Sequence, residues 1–140
     1  MKKMTYILSL AVFAIITQFA FATPDWEDCP GCYQYTASMT AVVYNDDGDN
    51  LADSGDILAA FDSEGNVRGI SNANLQDGLG GSAGLLLHAI TIRSNSTAGD
   101  VISFQYYDAS EDEVLPSATS YTFSINDIVG NLIEPHEINV

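Results

Sequence analysis

The residues best suited to chemistry lie in one acidic stretch. Asn45-Asp46-Asp47-Gly48-Asp49-Asn50, with Asp53 and Asp56 following, sets hard oxygen donors along a flexible loop that contains a glycine. Ca²⁺ takes roughly six to eight such ligands, and extracellular sites need only weak affinity to fill. Asp46, Asp47, Asp49, Asp53 and Asp56 are therefore candidate calcium ligands. The loop lacks the EF-hand register, with no glycine at its sixth position and no glutamate at its twelfth. The competing reading is a solvated hairpin turn, for which Asp-Gly and Asp-Asn are ordinary residues.

A second constellation is Cys29-Pro30-Gly31-Cys32, close to Trp26. A thioredoxin-like pair would open a helix in a βαβ unit, where the helix dipole lowers the thiol pKa, and no such pattern follows. A c-type haem would need His after the second cysteine, where Tyr33 stands. Zinc would need two more ligands, and only His88 and His136 are on offer. The pair is expected to form a local disulfide that pins the N-terminal segment, with an intermolecular bridge as the alternative. Gly80-Gly81-Ser82-Ala83-Gly84 has the spelling of a hydrolase nucleophile elbow, but it precedes a strand instead of joining a strand to a helix. A flexible connection is the expectation there.

His88 sits among Leu86 and Ile90 and reads as a satisfied core or interface histidine; His136, beside Glu134 and Glu137, reads as exposed. Arg68 suits a bidentate carboxylate clamp or a ligand contact. Trp26 and the tyrosines, Tyr106 among them, are either a platform for stacking sugars or part of an aromatic core.

The elements that must position these groups follow from composition. The chain has 140 residues, 19 acidic and four basic. Two of the basic residues, Lys2 and Lys3, open a stretch ending in Ala20-Phe21-Ala22 that has the form of a secretory signal, with cleavage expected before Thr23. Its apolar part is shorter than the ~20 residues of a membrane span, so no membrane insertion is expected after cleavage. Arg68 and Arg93 then stand alone against 19 acids. Nucleic-acid binding needs a basic surface, and an anionic membrane would repel the chain. Schiff-base chemistry needs a lysine amine. The chain after residue 22 offers none of these.

Past residue 22 the apolar runs are short and rich in β-branched and aromatic residues. They span 33–44, 57–61, 67–73, 85–92, 101–107, 121–125 and 137–140, separated mostly by Gly, Asn, Asp and Ser. Ile102, Phe104 and Tyr106 alternate with Ser103 and Gln105, as Tyr121, Phe123 and Ile125 alternate with Thr122 and Ser124. This spacing predicts an all-β fold: an antiparallel, immunoglobulin-like β-sandwich of about seven or eight strands. A short helical turn is expected near 126–129. The organisation expected is a signal peptide over 1–22, an N-terminal segment over 23–36 and the sandwich over 37–140.

Four motifs carry a resemblance. Ser38-Met39-Thr40, Asp56-Ile57-Leu58-Ala59-Ala60-Phe61, Val67-Arg68-Gly69 and Val101-Ile102-Ser103-Phe104-Gln105-Tyr106-Tyr107-Asp108 together resemble secreted β-sandwich modules common in exported surface proteins of Bacteroidetes-type bacteria. The chain departs from that pattern at Val67, where cysteine is frequent, and the C-terminal sorting domain of many members is expected to be absent. The resemblance implies an extracellular, non-catalytic module. No constellation above passes its context test as an active site, so the expectation is a secreted or cell-surface structural or adhesion component. It would associate with itself or with other extracellular proteins. A carbohydrate-binding module that recognises polysaccharide, with Ca²⁺ if the acidic loop binds it, is the alternative.

Overall fold

The computed structural model describes residues 23–140, so the expected signal peptide lies outside the described residues. Nine strands form: β1 (Tyr35–Tyr44), β2 (Ile57–Phe61), β3 (Val67–Ile70), β4 (Gln76–Asp77), β5 (Leu86–Ser94), β6 (Ala98–Asp108), β7 (Glu113–Ser124), β8 (Ile128–Val129) and β9 (His136–Asn139). One sheet has the order β4-β5-β1-β8, with β9 also on β1; the other runs β3-β2-β6-β7. Their facing sides bury one core, and the fold is the expected β-sandwich.

Alternation builds that core. Met39, Ala41 and Val43 of β1, Ile90 and Ile92 of β5, Ile102, Phe104 and Tyr106 of β6, Phe123 of β7 and Ile138 of β9 all enter a single cluster. Each belongs to one parity of its strand, as a pleated strand with one face on a core requires. The longest alternating run, in β6, lies between β2 and β7.

Beside the strand count, nine against about seven or eight, three features depart from the sequence expectation. The sandwich is antiparallel except at β8 and β9, which both pair with β1 in parallel. The expected helical turn near 126–129 is absent: Asn126 takes a left-handed φ of 59°, and the chain re-enters the sheet as β8. The strand β7 begins at Glu113, ahead of its apolar run, because its first half is a hairpin arm held by β6.

At one edge the two sheets nearly touch. Ser71, just past β3, bridges to Ile90 of β5. A side chain at Gly69 would collide with the Thr91 carbonyl oxygen, so only glycine lets β3 pass this close to β5.

Candidate functional site

The acidic stretch folds into two turns, each organised by a carboxylate or amide side chain. Asn45 closes the first: its Oδ1 accepts from the backbone N–H of Asp47 at 3.0 Å and of Asp49 at 2.8 Å. Gly48, at φ 83°, makes the reversal. Asp46, Asp47 and Asp49 are left pointing into solvent. Asn50 then stitches the loop back to the sheet, its Nδ2 donating to the Val43 and Leu86 carbonyls while its Oδ1 accepts from Leu86 N–H.

Asp56 closes the second turn and behaves differently from its neighbours. It is buried at 6% exposure. Its Oδ2 accepts from Asp53 N–H at 2.9 Å and from the Tyr106 hydroxyl, and its Oδ1 accepts from Ala109 N–H at 2.8 Å. Both oxygens are thus engaged by protein donors, while Asp53 is exposed and caps Ser54 N–H. Among the described residues no three of His, Cys, Asp and Glu are grouped to hold one ion. The five aspartates therefore divide between two turns, with the Asp56 carboxylate directed into the protein.

Tyr106 lies wholly in the core, and burial, followed by its bond to Asp56, raises its phenol pKa far above the ordinary value. Its ring meets His88 edge to face, with centroids 5.5 Å apart. His88 is fully buried, its Nδ1 lying 3.3 Å from Ser71 Oγ. That hydroxyl also accepts from Leu58 N–H at 3.0 Å. Burial lowers the His88 pKa from 6.5 to about 4, against the opposing pull of Asp56. His88 is the expected core histidine, but it is only half satisfied, since its Nε2 has no partner. His136 is likewise not simply exposed. It pairs with Ala41 in β1, on the row that Ala41 shares with His88, and its Nε2 is also buried without a partner.

Arg68 is a clamp. Its Nε donates to Asp62 Oδ2 at 2.9 Å, and its Nη1 donates to the Arg93 carbonyl at 3.1 Å and to Asp100 Oδ2 at 3.4 Å. The guanidinium also lies 4.6 Å over the Tyr33 ring. Burial works to raise the Asp62 pKa, but bonds from Asn66, Arg68 and Glu64 N–H overcome it and bring it down to about 2. The Ser94 hydroxyl is the main cause of a lowered Asp100 pKa, with Arg68 contributing. Asp62, Glu64, Arg68, Asp100 and Val101 line a shallow cleft of about 140 Å³.

Cys29 and Cys32 form the local disulfide, Cα to Cα 5.4 Å. Trp26 packs edge to face on Phe61, with centroids 5.5 Å apart. Ser82, the serine of the elbow-like spelling, is buried and donates to the Ile133 carbonyl at 2.8 Å. Trp26, Arg68 and Tyr106 thus occupy three separate places and share no platform.

Sequence reasoning placed Asn45 and Asn50 in a loop or turn without giving either the organising role, and it missed Ser71; all three act through their side chains. A signal existed for Asn45, because Asn ahead of Asp-Asp-Gly is an ordinary Asx-turn start. None existed for Ser71, whose partners are distant in sequence. Viewed together, the resemblance motifs are fastenings: Asp56 to Tyr106, Arg68 to Asp62, Gly69 against Thr91, and Phe61 against Trp26. The molecule is a β-sandwich in which Asp56, Arg68, Tyr106 and Ser82 are tied into its own framework, while Asp46, Asp47, Asp49 and Asp53 face solvent. No protein-family model, no curated protein and no solved structure matches the chain. The resemblance to exported modules accordingly rests on the motifs themselves.

Proposed function

We propose that the chain is a non-catalytic extracellular module, a structural or adhesion component that associates with copies of itself. The observation that carries this reading is the free flank of β7. This strand, at 12 residues, is the edge of its sheet and pairs only with β6. Contact with β9 is limited to its middle, where Ser117 Oγ donates to the Asn139 carbonyl and Thr119 Oγ1 accepts from Asn139 N–H. Edge strands invite pairing with another chain, and proteins guard them with lysine, proline or bulges. Here the guards are Pro116, Glu113, a bulge between Pro116 and Ser120 and the general negative charge; no lysine lies beyond Lys3. Val114, on the same strand, is 41% exposed.

Light scattering on residues 23–140 over a concentration series, with and without millimolar calcium, tests the reading. The expected result is an assembly that grows with concentration and is lost in Val114→Lys, which places a lysine on the edge. Calcium would promote it if it screens the acids that hold copies apart. A monomer at every concentration, indifferent to calcium, overturns the proposal and turns the search to polysaccharides.

A further inference from the structure

The face of the β3-β2-β6-β7 sheet that looks away from the core is covered. Ala59 and Phe61 of β2 and Tyr107 of β6 have the parity opposite to the core residues, yet they are 0%, 6% and 6% exposed. The cover is the N-terminal segment. Trp26 packs on Phe61, with ring centroids 5.5 Å apart. Asp28 grips Arg93 with both carboxylate oxygens, each at 2.9 Å. Tyr33 donates from its hydroxyl to the Val67 carbonyl at 3.3 Å and lies under Arg68.

Two properties of this segment stand out. Over residues 23–33 every attachment to the sheets uses a side chain of the segment; the one main-chain to main-chain bond there is internal, Cys32 N–H to the Cys29 carbonyl, and the main chain is first held outward at Gln34, whose N–H donates to Asn95 Oδ1 at 3.1 Å. The disulfide also lies between the two arginine attachments. Asp28 precedes Cys29 and Tyr33 follows Cys32, so the four-residue loop fixes the spacing at which Asp28 meets β5 and Tyr33 meets β3. Within the loop Cys32 is exposed and Cys29 is half-buried, so Cys32 is the side from which a reagent approaches.

We propose that the Cys29–Cys32 disulfide is a thiol–disulfide exchange site, and that its state decides whether residues 23–33 cover the outer face of this sheet. The co-reactant is an exported dithiol. Its thiolate attacks Cys32 Sγ, the Cys29–Cys32 bond breaks as the mixed disulfide forms, and Cys29 leaves as a thiolate. The second thiol of the reagent, deprotonated, attacks its own sulfur in the mixed disulfide and releases Cys32 as a thiolate. The reagent leaves as its disulfide, having supplied two electrons, and the protons of its two thiols pass through solvent to the two cysteines. Opening a loop of this size returns chain freedom to the undocked segment and favours undocking by about twentyfold. The body of the sandwich holds none of its core residues in this segment and stays folded, with Phe61, Ala59 and Tyr107 now bare. This device stands whether or not the chain self-associates.

Trp26 is the only tryptophan and reports the segment directly. Residues 23–140 are compared with and without dithiothreitol, reading Trp26 emission, its quenching by acrylamide and amide hydrogen exchange. On reduction, emission is expected to shift to the red and acrylamide quenching of Trp26 to rise as the undocked population grows about twentyfold, while β1 and β6 amides keep their protection. The full-chain variant Cys29→Ser/Cys32→Ser should match the reduced protein without any reductant. Three results would overturn the proposal: a disulfide that resists dithiothreitol in the folded protein, Trp26 as shielded from acrylamide after reduction as before it, or loss of β1 and β6 protection as the segment undocks.

Discussion

His88 of β5 and Tyr106 of β6 meet across the interior, one from each sheet, with ring planes at 85°. Around this contact lies a polar chain: Ser71 on the imidazole, Asp56 on the phenol. The two sheets are therefore joined by an ionisable row as well as by apolar packing.

That row makes stability depend on pH. His88 holds its proton with a pKa of about 4 in the folded protein against 6.5 ordinarily. Between those values the unfolded chain binds the proton and the folded one does not, so stability falls as pH drops from 6.5 through 4 and then levels. The loss is about 3 kcal/mol. Urea unfolding at pH 7 and pH 4 measures it, and His88→Asn should remove most of the difference. Asp62, lowered to about 2, adds a further loss only below the ordinary carboxylate range.

Asp56 satisfies three donors with one carboxylate. Asp56→Ala strands the Tyr106 hydroxyl and the N–H groups of Asp53 and Ala109, at a cost of about 3 kcal/mol or more. Tyr106→Phe removes one donor and leaves the two backbone bonds, costing about 1–2 kcal/mol. Unfolding free energies of both single variants and the double variant should show strong coupling, the double costing clearly less than the sum.

At Gly69 the cost is steric. Gly69→Ala drives a methyl group into the Thr91 carbonyl, and β3 must draw away from β5. A loss of about 2–3 kcal/mol is expected, measurable as a lowered Tm. Gly31→Ala, where a methyl group meets nothing within 4 Å, should leave Tm almost unchanged.

Arg68→Lys keeps the charge but gives up the planar fork that joins Asp62, the Arg93 carbonyl and Asp100 while lying on Tyr33. About 1–2 kcal/mol should be lost. Arg68→Ala should cost more, because Asp62 is then left nearly buried without its cation. Thermal unfolding of both variants orders the two effects.

The sandwich was legible in the sequence because its central strands alternate. Ile102, Phe104 and Tyr106 can satisfy period two only with one face on a core. The short β4 and β8 carry two residues each and no period, so nothing in them distinguishes a strand from a loop. The parallel seating of β8 and β9 is a property of topology, which periodicity does not encode. In the candidate site the turn residues were visible as turn residues and Arg68 as a clamp. The burial of Asp56 was not, since it depends on Tyr106 fifty positions away. Aspartates adjacent in sequence look alike until the fold decides which of them faces inward.

The seat of β9 has a kinetic consequence. Val43 of β1 takes Ile138 of β9 as its neighbour, so β1 lacks this flank until a strand far along the sequence is in place. Pairings this distant in sequence close slowly, on the scale of milliseconds to seconds. Until β9 docks, one flank of β1 stays open, so the native sandwich is complete only after this long-range closure.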